Sequence, residues 1–174
     1  RLNEPYRTML GHLRHEVGHY YWYRLVEGTP LVERSRELFG DERLDYASAL
    51  EEHYRRDATT GWQDSLVSFY ASAHPWEDFA ETWAHYIHIV DSLETAGEAG
   101  LAIGGQRLAS PFPLSTDLPL TSLLADWLPL SVTLNQLNRS MGMRDAYPFA
   151  LSDAVIAKLG FVHELCMQLA LEPA

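Results

Sequence analysis

Apolar and polar positions along most of the chain repeat at the three-to-four-residue spacing of an α-helix. Glycine, proline and capping residues divide this pattern into separate segments. Asn3 is a candidate N-cap for the first segment, Gly28 follows its end, and Ser152 is a candidate N-cap for the last. The pattern therefore predicts helices at about residues 4–27, 31–39, 43–54, 75–95, 120–140 and 153–171.

The segments between these helices are rich in turn residues. Residues 55–61 are predicted to form a loop, and residues 66–70 are ambiguous between a short strand and a helical turn. Four glycines and three prolines make residues 97–120 a long irregular segment, which either covers a substrate cleft or is a plain connector. We find no parallel-sheet pattern. The predicted fold class is mainly α.

Composition narrows the classes of function. At 174 residues and 47% hydrophobic content, the chain is expected to form one compact domain. Its net charge of −11 argues against a nucleic-acid partner. Cys166, the single cysteine, excludes a disulfide framework within the chain and fits a small core residue. No apolar run reaches the roughly 18 residues of a membrane helix, so we expect no membrane association and a cytoplasmic location.

The first predicted helix carries an HExxH motif that begins at His15 and ends at His19. Residues four apart share one face of a helix, so the two imidazoles point to one place, as two ligands of a tetrahedral Zn²⁺ do. Glu16 lies about 100° around the helix from His15, where it can reach a water without binding the metal. This spacing is typical of a zinc hydrolase. A helix with two ordinary histidines is the alternative that the motif alone leaves open.

A third metal ligand distinguishes these two interpretations. The metzincin pattern requires Gly and His three and six residues after the second His, where this chain has Trp22 and Leu25. In the other known arrangement of an HExxH zinc site, the third ligand is a Glu from a later helix. The helix predicted to begin at Pro75 carries Glu77 and Glu81 on one face. We expect Glu77 to be the third ligand and Glu81 to accept the second N–H of a ligating histidine.

Several longer stretches resemble a known family. They are LGHLRHEVGHYYW at 10–22, LFGDER at 38–43, SFYASAHPWEDFAETWAHY at 68–86, LNRSMG at 137–142 and YPF at 147–149. In these stretches the chain resembles the bacterial putative zinc-binding metallopeptidases, a zincin-like group. The resemblance implies a single zincin-like helical domain over residues 1–174, built around the HExxH helix and the Glu-bearing helix. Family members often carry an N-terminal Cys-rich zinc ribbon, which is missing here and suggests a piece trimmed to the peptidase domain.

The resemblance also implies roles for individual residues. The Glu-x-Phe-Ala-Glu segment looks like the third-ligand helix of gluzincins, which makes Glu77 the ligand and Glu81 its supporting neighbour. Some gluzincins have a Tyr shortly before this Glu that hydrogen-bonds the oxyanion, and Tyr70 matches that position. A core aromatic is the alternative for Tyr70. His85 and His88 either approach the cleft or pack as ordinary histidines.

The sequence therefore predicts a zinc-dependent metallopeptidase that acts on a peptide or protein. Glu16 is the predicted general base, Zn²⁺ the cofactor, and a water occupies the open fourth position. One alternative is a zinc-binding interaction or scaffold domain without turnover, although a purely structural site needs no base such as Glu16. Another is a di-iron carboxylate bundle, because Glu16 and His19 also form a Glu-x-x-His motif. That bundle requires a second such motif, and Glu81 and His85 are four residues apart instead of three.

Overall fold

A computed structural model of the chain describes residues 8–55, 61–114 and 117–171. These residues form six α-helices and one small antiparallel hairpin. The helices are α1 (Met9–Leu25), α2 (Leu31–Phe39), α3 (Tyr46–Arg55), α4 (Pro75–Glu98), α5 (Leu120–Ser140) and α6 (Asp153–Leu171), and the strands are β1 (Ala102–Ile103) and β2 (Gln106–Arg107). The mainly helical fold class is confirmed. Within the described helices, none combines the length and apolarity needed to cross a bilayer.

Most helix boundaries lie close to the predicted ones. Helices α2 and α5 occupy the predicted residues, and α4 continues to Glu98, three residues past the predicted end. Helix α1 ends two residues earlier than predicted, because the Thr29 hydroxyl donates to the carbonyl oxygens of Leu25 and Val26 and closes a turn. The predicted first turn with its Asn3 cap, and residues 56–60 of the predicted loop, lie outside the described residues.

The irregular segments also differ in detail from the prediction. Residues 66–70 form no strand; a short 3-10 helix, Tyr70–Ala73, leads into α4 instead. The 97–120 segment contains the hairpin, in which Ala102 pairs with Arg107 and Ile103 with Gln106. Gly104 and Gly105 form its turn with φ angles of 59° and 86°, which glycine adopts at little cost.

Side-chain caps explain where two of the helices begin. Asp45 precedes α3, and its carboxylate accepts the backbone N–H of Ser48 at 2.8 Å. Ser152 precedes α6, and its hydroxyl accepts the N–H of Val155 at 3.3 Å. Both contacts satisfy N–H groups that have no partner within the helix. The predicted capping role of Ser152 is thus seen in the structure.

The chain divides into two compact units, and the first contains Met9–Tyr86 and Phe149–Leu165. Its core includes the rings of Phe39, Phe79 and Phe161, whose centroids lie 5.4–6.4 Å apart. Helix α6 is tied to this core by a buried ion pair. The Lys158 ammonium donates to Asp78 at 2.6 Å and to the Ser65 carbonyl at 2.7 Å. Removing either partner would leave an unpaired buried charge, so the pair fixes α6 against the start of α4.

Within the described residues, the second unit consists mainly of Ile87–Pro148 and the end of α6. Trp127 is fully buried there and packs against Tyr147 with ring centroids 4.9 Å apart. The Asn135 side chain holds the Tyr147 backbone with two hydrogen bonds of 2.7 and 2.9 Å. Cys166 is buried, as predicted, and burial raises the pKa of its thiol to about 12. Organisation of residues 1–174 as a single domain stays a prediction.

Helices α1 and α4 approach each other closely at Gly18. A Cβ atom at this position would lie 3.0 Å from Ala80 Cα and from Trp83 Cβ, which is shorter than an ordinary carbon–carbon contact. Beside this crossing, the Tyr21 ring stacks on Trp83 with centroids 4.8 Å apart. Glycine therefore permits a helix contact that no other residue would allow without movement. The contact lies between His15 and His19 on α1.

Candidate metal centre

His15, His19 and Glu77 converge on one point between α1 and the first turn of α4. Glu77 Oε2 lies 2.9 Å from His15 Nε2 and 3.5 Å from His19 Nε2. One candidate ligand atom from each residue lies within 4.8 Å of the other two. Across residues 8–55, 61–114 and 117–171, this is the one group of three or more His, Cys, Asp or Glu side chains that could hold a metal ion.

The geometry of these three atoms fits a zinc ion. Zinc ligands lie about 2.0–2.2 Å from a tetrahedral ion, so neighbouring ligand atoms are about 3.3–3.6 Å apart. The two distances to Glu77 Oε2, 2.9 and 3.5 Å, lie within a few tenths of an ångström of that range. Two imidazole nitrogens and one carboxylate oxygen also form a donor set that is typical of catalytic zinc, with three protein ligands instead of four.

Glu81 fixes the orientation of the His15 ring. His15 Nδ1 lies 2.7 Å from Glu81 Oε1, so it donates a proton there, and Nε2 is the nitrogen that would bind a metal. Glu81 is held in turn by Ser68, whose hydroxyl donates to Oε2 at 2.5 Å. The Ser68 oxygen also accepts the N–H of Ala71 at 3.2 Å. A buried chain of hydrogen bonds therefore sets which His15 nitrogen faces Glu77.

The opposite charges of this cluster stabilise one another. Burial alone would raise the pKa of Glu77, but hydrogen bonds from His15, His19 and Tyr46 hold it well below its ordinary value. Burial lowers the pKa of His15, but the hydrogen bonds and charges of Glu77 and Glu81 outweigh burial and raise it to about 9. Without a metal, a protonated His15 therefore lies between two carboxylates. A metal cation would replace that proton.

Two tyrosines complete the cluster. The Tyr46 hydroxyl, from the first turn of α3, donates to Glu77 Oε1 at 2.7 Å. Burial and this contact raise the pKa of Tyr46 to about 12. The Tyr70 ring centroid lies 5.9 Å from that of His15, and a hydrogen bond joins the hydroxyls of Tyr70 and Tyr46. Burial and the Glu77 charge raise the pKa of Tyr70 above its ordinary range, so both phenols remain proton donors.

Glu16 lies outside this buried network. Its side chain is 56% exposed, and its Oε1 atom lies 3.6 Å from Nε2 of His12, which is 73% exposed. A carboxylate in this position is open to water and is not engaged by the histidines that converge on Glu77. It is therefore accessible for proton transfer.

His85 and His88 are placed differently from the three converging residues. His85 is fully buried, and its ring contacts that of Phe149 with centroids 4.5 Å apart. His88 is partly buried and packs against the rings of Trp127 and Tyr147. Neither histidine belongs to the candidate metal group.

Sequence reasoning missed Tyr46 and Ser68. Ser68 lies inside one of the stretches that resemble the family, but nothing in the residue pattern indicates that its hydroxyl meets Glu81. Tyr46 is 31 residues before Glu77 on a different helix, and no local spacing relates the two. Only the packing of α3 beside the start of α4 brings them together.

Comparison with known proteins finds a family whose description includes zinc binding. A sequence model of the family described as "Putative zinc-binding metallo-peptidase" matches residues 1–165. Relatives include uncharacterized proteins of Mycobacterium bovis and of Mycobacterium tuberculosis strain H37Rv, each 48% identical over 176 residues. The match covers 99% of this chain and 51% of each relative, so the chain spans about half the length of these proteins. No solved structure shows significant similarity to the chain.

Proposed function

Because the chain belongs to the putative zinc-binding metallo-peptidase family, we propose that it is a zinc-dependent peptidase with a gluzincin-type centre. His15, His19 and Glu77 are the proposed ligands. The observation that carries the proposal is the convergence of two histidine Nε2 atoms on Glu77 Oε2, at 2.9 and 3.5 Å. Zinc held by three protein ligands acts as a Lewis acid and lowers the pKa of water to about 7.

Glu16 is the proposed general base. It follows the first ligand directly on α1, and its exposed carboxylate is not part of the buried network around Glu77. In the proposed reaction, Glu16 accepts the proton of the attacking water and passes it to the leaving amine of the cleaved peptide. A positioned carboxylate of this kind contributes about 10²–10⁴-fold to the rate.

Tyr70 is the proposed hydrogen-bond donor to the scissile carbonyl oxygen. Its ring lies beside His15, and its raised pKa keeps the phenol protonated. A phenol aimed at developing negative charge stabilises the transition state by about 3 kcal/mol. Glu81 supports the reaction indirectly, since it holds the proton on His15 Nδ1 and leaves Nε2 free.

A peptide or protein is the proposed substrate, and a cytoplasmic location remains a prediction from the sequence. A di-iron centre needs more His, Asp and Glu ligands than the three-residue group provides. Among the described residues, no second group of such side chains could hold a metal ion. The alternative function is a zinc-binding interaction or scaffold domain that cleaves no peptide. An experiment must distinguish this function from peptidase activity.

The test compares wild type, Glu16→Gln and Glu27→Gln on a mixture of fluorogenic peptides, with zinc content measured for each protein. Glu27 is an exposed acid just past the end of α1, so its variant controls for the loss of one charge. We expect Glu16→Gln to keep its zinc and lose at least about 100-fold in hydrolysis rate, with Glu27→Gln unchanged. A Glu16→Gln variant as fast as wild type would refute the mechanism. A wild type that binds zinc but cleaves no peptide would favour the interaction domain.

A further inference from the structure

We propose that Tyr46 is a positioning residue that restricts Glu77 to binding the metal through a single oxygen. This inference rests on the metal site of the proposed function, but it does not depend on peptidase turnover. It concerns a residue of α3, which contributes none of the proposed metal ligands or catalytic groups.

The two carboxylate oxygens of Glu77 face different partners. Oε2 faces the Nε2 atoms of His15 and His19, at 2.9 and 3.5 Å. Oε1 accepts the Tyr46 hydroxyl proton at 2.7 Å. A carboxylate can bind a cation through one oxygen or through both. The Tyr46 hydrogen bond occupies Oε1 and therefore favours binding through Oε2 alone.

The Tyr46 side chain is itself held in place by residues that flank Glu77. Its ring contacts the rings of His74 and Trp76, with centroid distances of 5.2 and 6.2 Å. His74 Nδ1 accepts the backbone N–H of Trp76, so its Nε2 carries the proton and donates to the Leu44 carbonyl at 3.0 Å. Buried His74 thereby links the residues just before α3 to the first turn of α4. The phenol is preorganised over Glu77 before a metal arrives.

Two consequences follow for the metal. A hydrogen bond from a neutral phenol to a ligating carboxylate fixes the orientation of that ligand, and losing such a partner typically costs 10–100-fold in metal affinity. Binding through one oxygen also keeps the coordination number low, so that a position stays open for water or substrate. Removing the Tyr46 hydroxyl should therefore change both the affinity and the coordination of the metal.

The experiment measures Co²⁺ binding to wild type, Tyr46→Phe and Tyr23→Phe. Cobalt reports coordination through its visible absorption, which is weaker for five or six ligands than for four. Tyr23 is an exposed phenol on α1, so its variant controls for loss of a hydroxyl. We expect the Kd of Tyr46→Phe, from chelator competition, to rise at least about tenfold. Its visible bands should weaken, and those of Tyr23→Phe should match wild type.

A second pair of variants separates positioning from a general loss of stability. In a Glu77→Ala background, whose weaker binding is measured by direct titration with Co²⁺, the Tyr46 hydroxyl has no carboxylate to hold. Adding Tyr46→Phe there should change the Kd by less than about twofold. A tenfold loss that persists in that background would overturn the inference, as would a Tyr46→Phe protein with wild-type affinity and spectrum. A wild type that binds neither Co²⁺ nor Zn²⁺ would overturn the metal site itself, and the proposed function with it.

Discussion

Replacing Gly18 with alanine tests whether the close contact between α1 and α4 sets the geometry of the metal ligands. The new Cβ would lie 3.0 Å from Ala80 Cα and Trp83 Cβ, and 3.1 Å from the Ala80 carbonyl oxygen. Ordinary carbon–carbon contacts are about 3.5–4.0 Å. The obstructing atoms belong to the backbone and the first side-chain atom of α4, so no rotamer change relieves the clash. The helices must separate by about half an ångström.

The expected effects are a loss of stability and a loss of metal affinity. Overpacking of this kind costs about 1–3 kcal/mol, and alanine returns up to about 1 kcal/mol through its better helix propensity. The net expectation is a destabilisation of about 1–2 kcal/mol in urea unfolding of the metal-free protein. Because His15 and His19 move with α1 and Glu77 with α4, a shift of half an ångström exceeds the roughly 0.2 Å that a zinc site tolerates. We expect zinc affinity to fall about tenfold in chelator competition.

Gly28→Ala is the matched control. Gly28 follows α1 with φ at +69°, and an added Cβ would meet no atom within 4 Å. Alanine there should cost about 1–2 kcal/mol through backbone strain, without moving α1 relative to α4. Zinc affinity should therefore be unchanged in this variant despite a similar loss of stability. A Gly18→Ala protein that is more stable than wild type and binds zinc as tightly would refute the reasoning.

Two further predictions concern the ring of His15. Glu81→Ala removes the acceptor for His15 Nδ1 and should weaken zinc binding about 10–100-fold by chelator competition, whereas an unchanged Kd would exclude the proposed role of Glu81. In the metal-free protein, the pKa of His15 is about 9 in the folded state against an ordinary value of 6.5. The contribution of protonated His15 to the free energy of unfolding is therefore complete below about pH 6.5 and is lost as pH rises through 9. Urea unfolding should therefore show a loss of roughly 2 kcal/mol between pH 7.5 and 9.5, which His15→Gln should abolish; an equal loss in that variant would contradict the assignment.

The helices were predictable because their signals are local. Each signal lies within a few residues of the helix end that it marks. Examples are the turn at Gly28 after α1, the proline that begins α4 and the cap at Ser152 before α6. The end of α1 was placed two residues late, since the side-chain bonds of Thr29 decide it. The hairpin was missed because two-residue strands are too short to show alternation.

The candidate site was predictable only in part, because only some of its contacts join residues with a local sequence signal. His15 and His19 follow from the helical repeat, and Glu77 was expected as the third ligand. The structure brings Glu77 to His15 across 62 residues of sequence. The side chains that contact Glu77 and Glu81 from other segments were not predictable. Tyr46 and Ser68 reach Glu77 and Glu81 from α3 and from the segment before α4, through packing that no residue spacing encodes.

The metal content of the purified protein, wild type beside Glu77→Ala, tests the central claim most directly. Plasma mass spectrometry should find about one zinc per wild-type chain, and a sharp loss in Glu77→Ala, because only two histidine ligands remain. Zinc retained at the wild-type level in Glu77→Ala, or no metal in the wild type after handling without chelators, would contradict the account of His15, His19 and Glu77 as a metal centre.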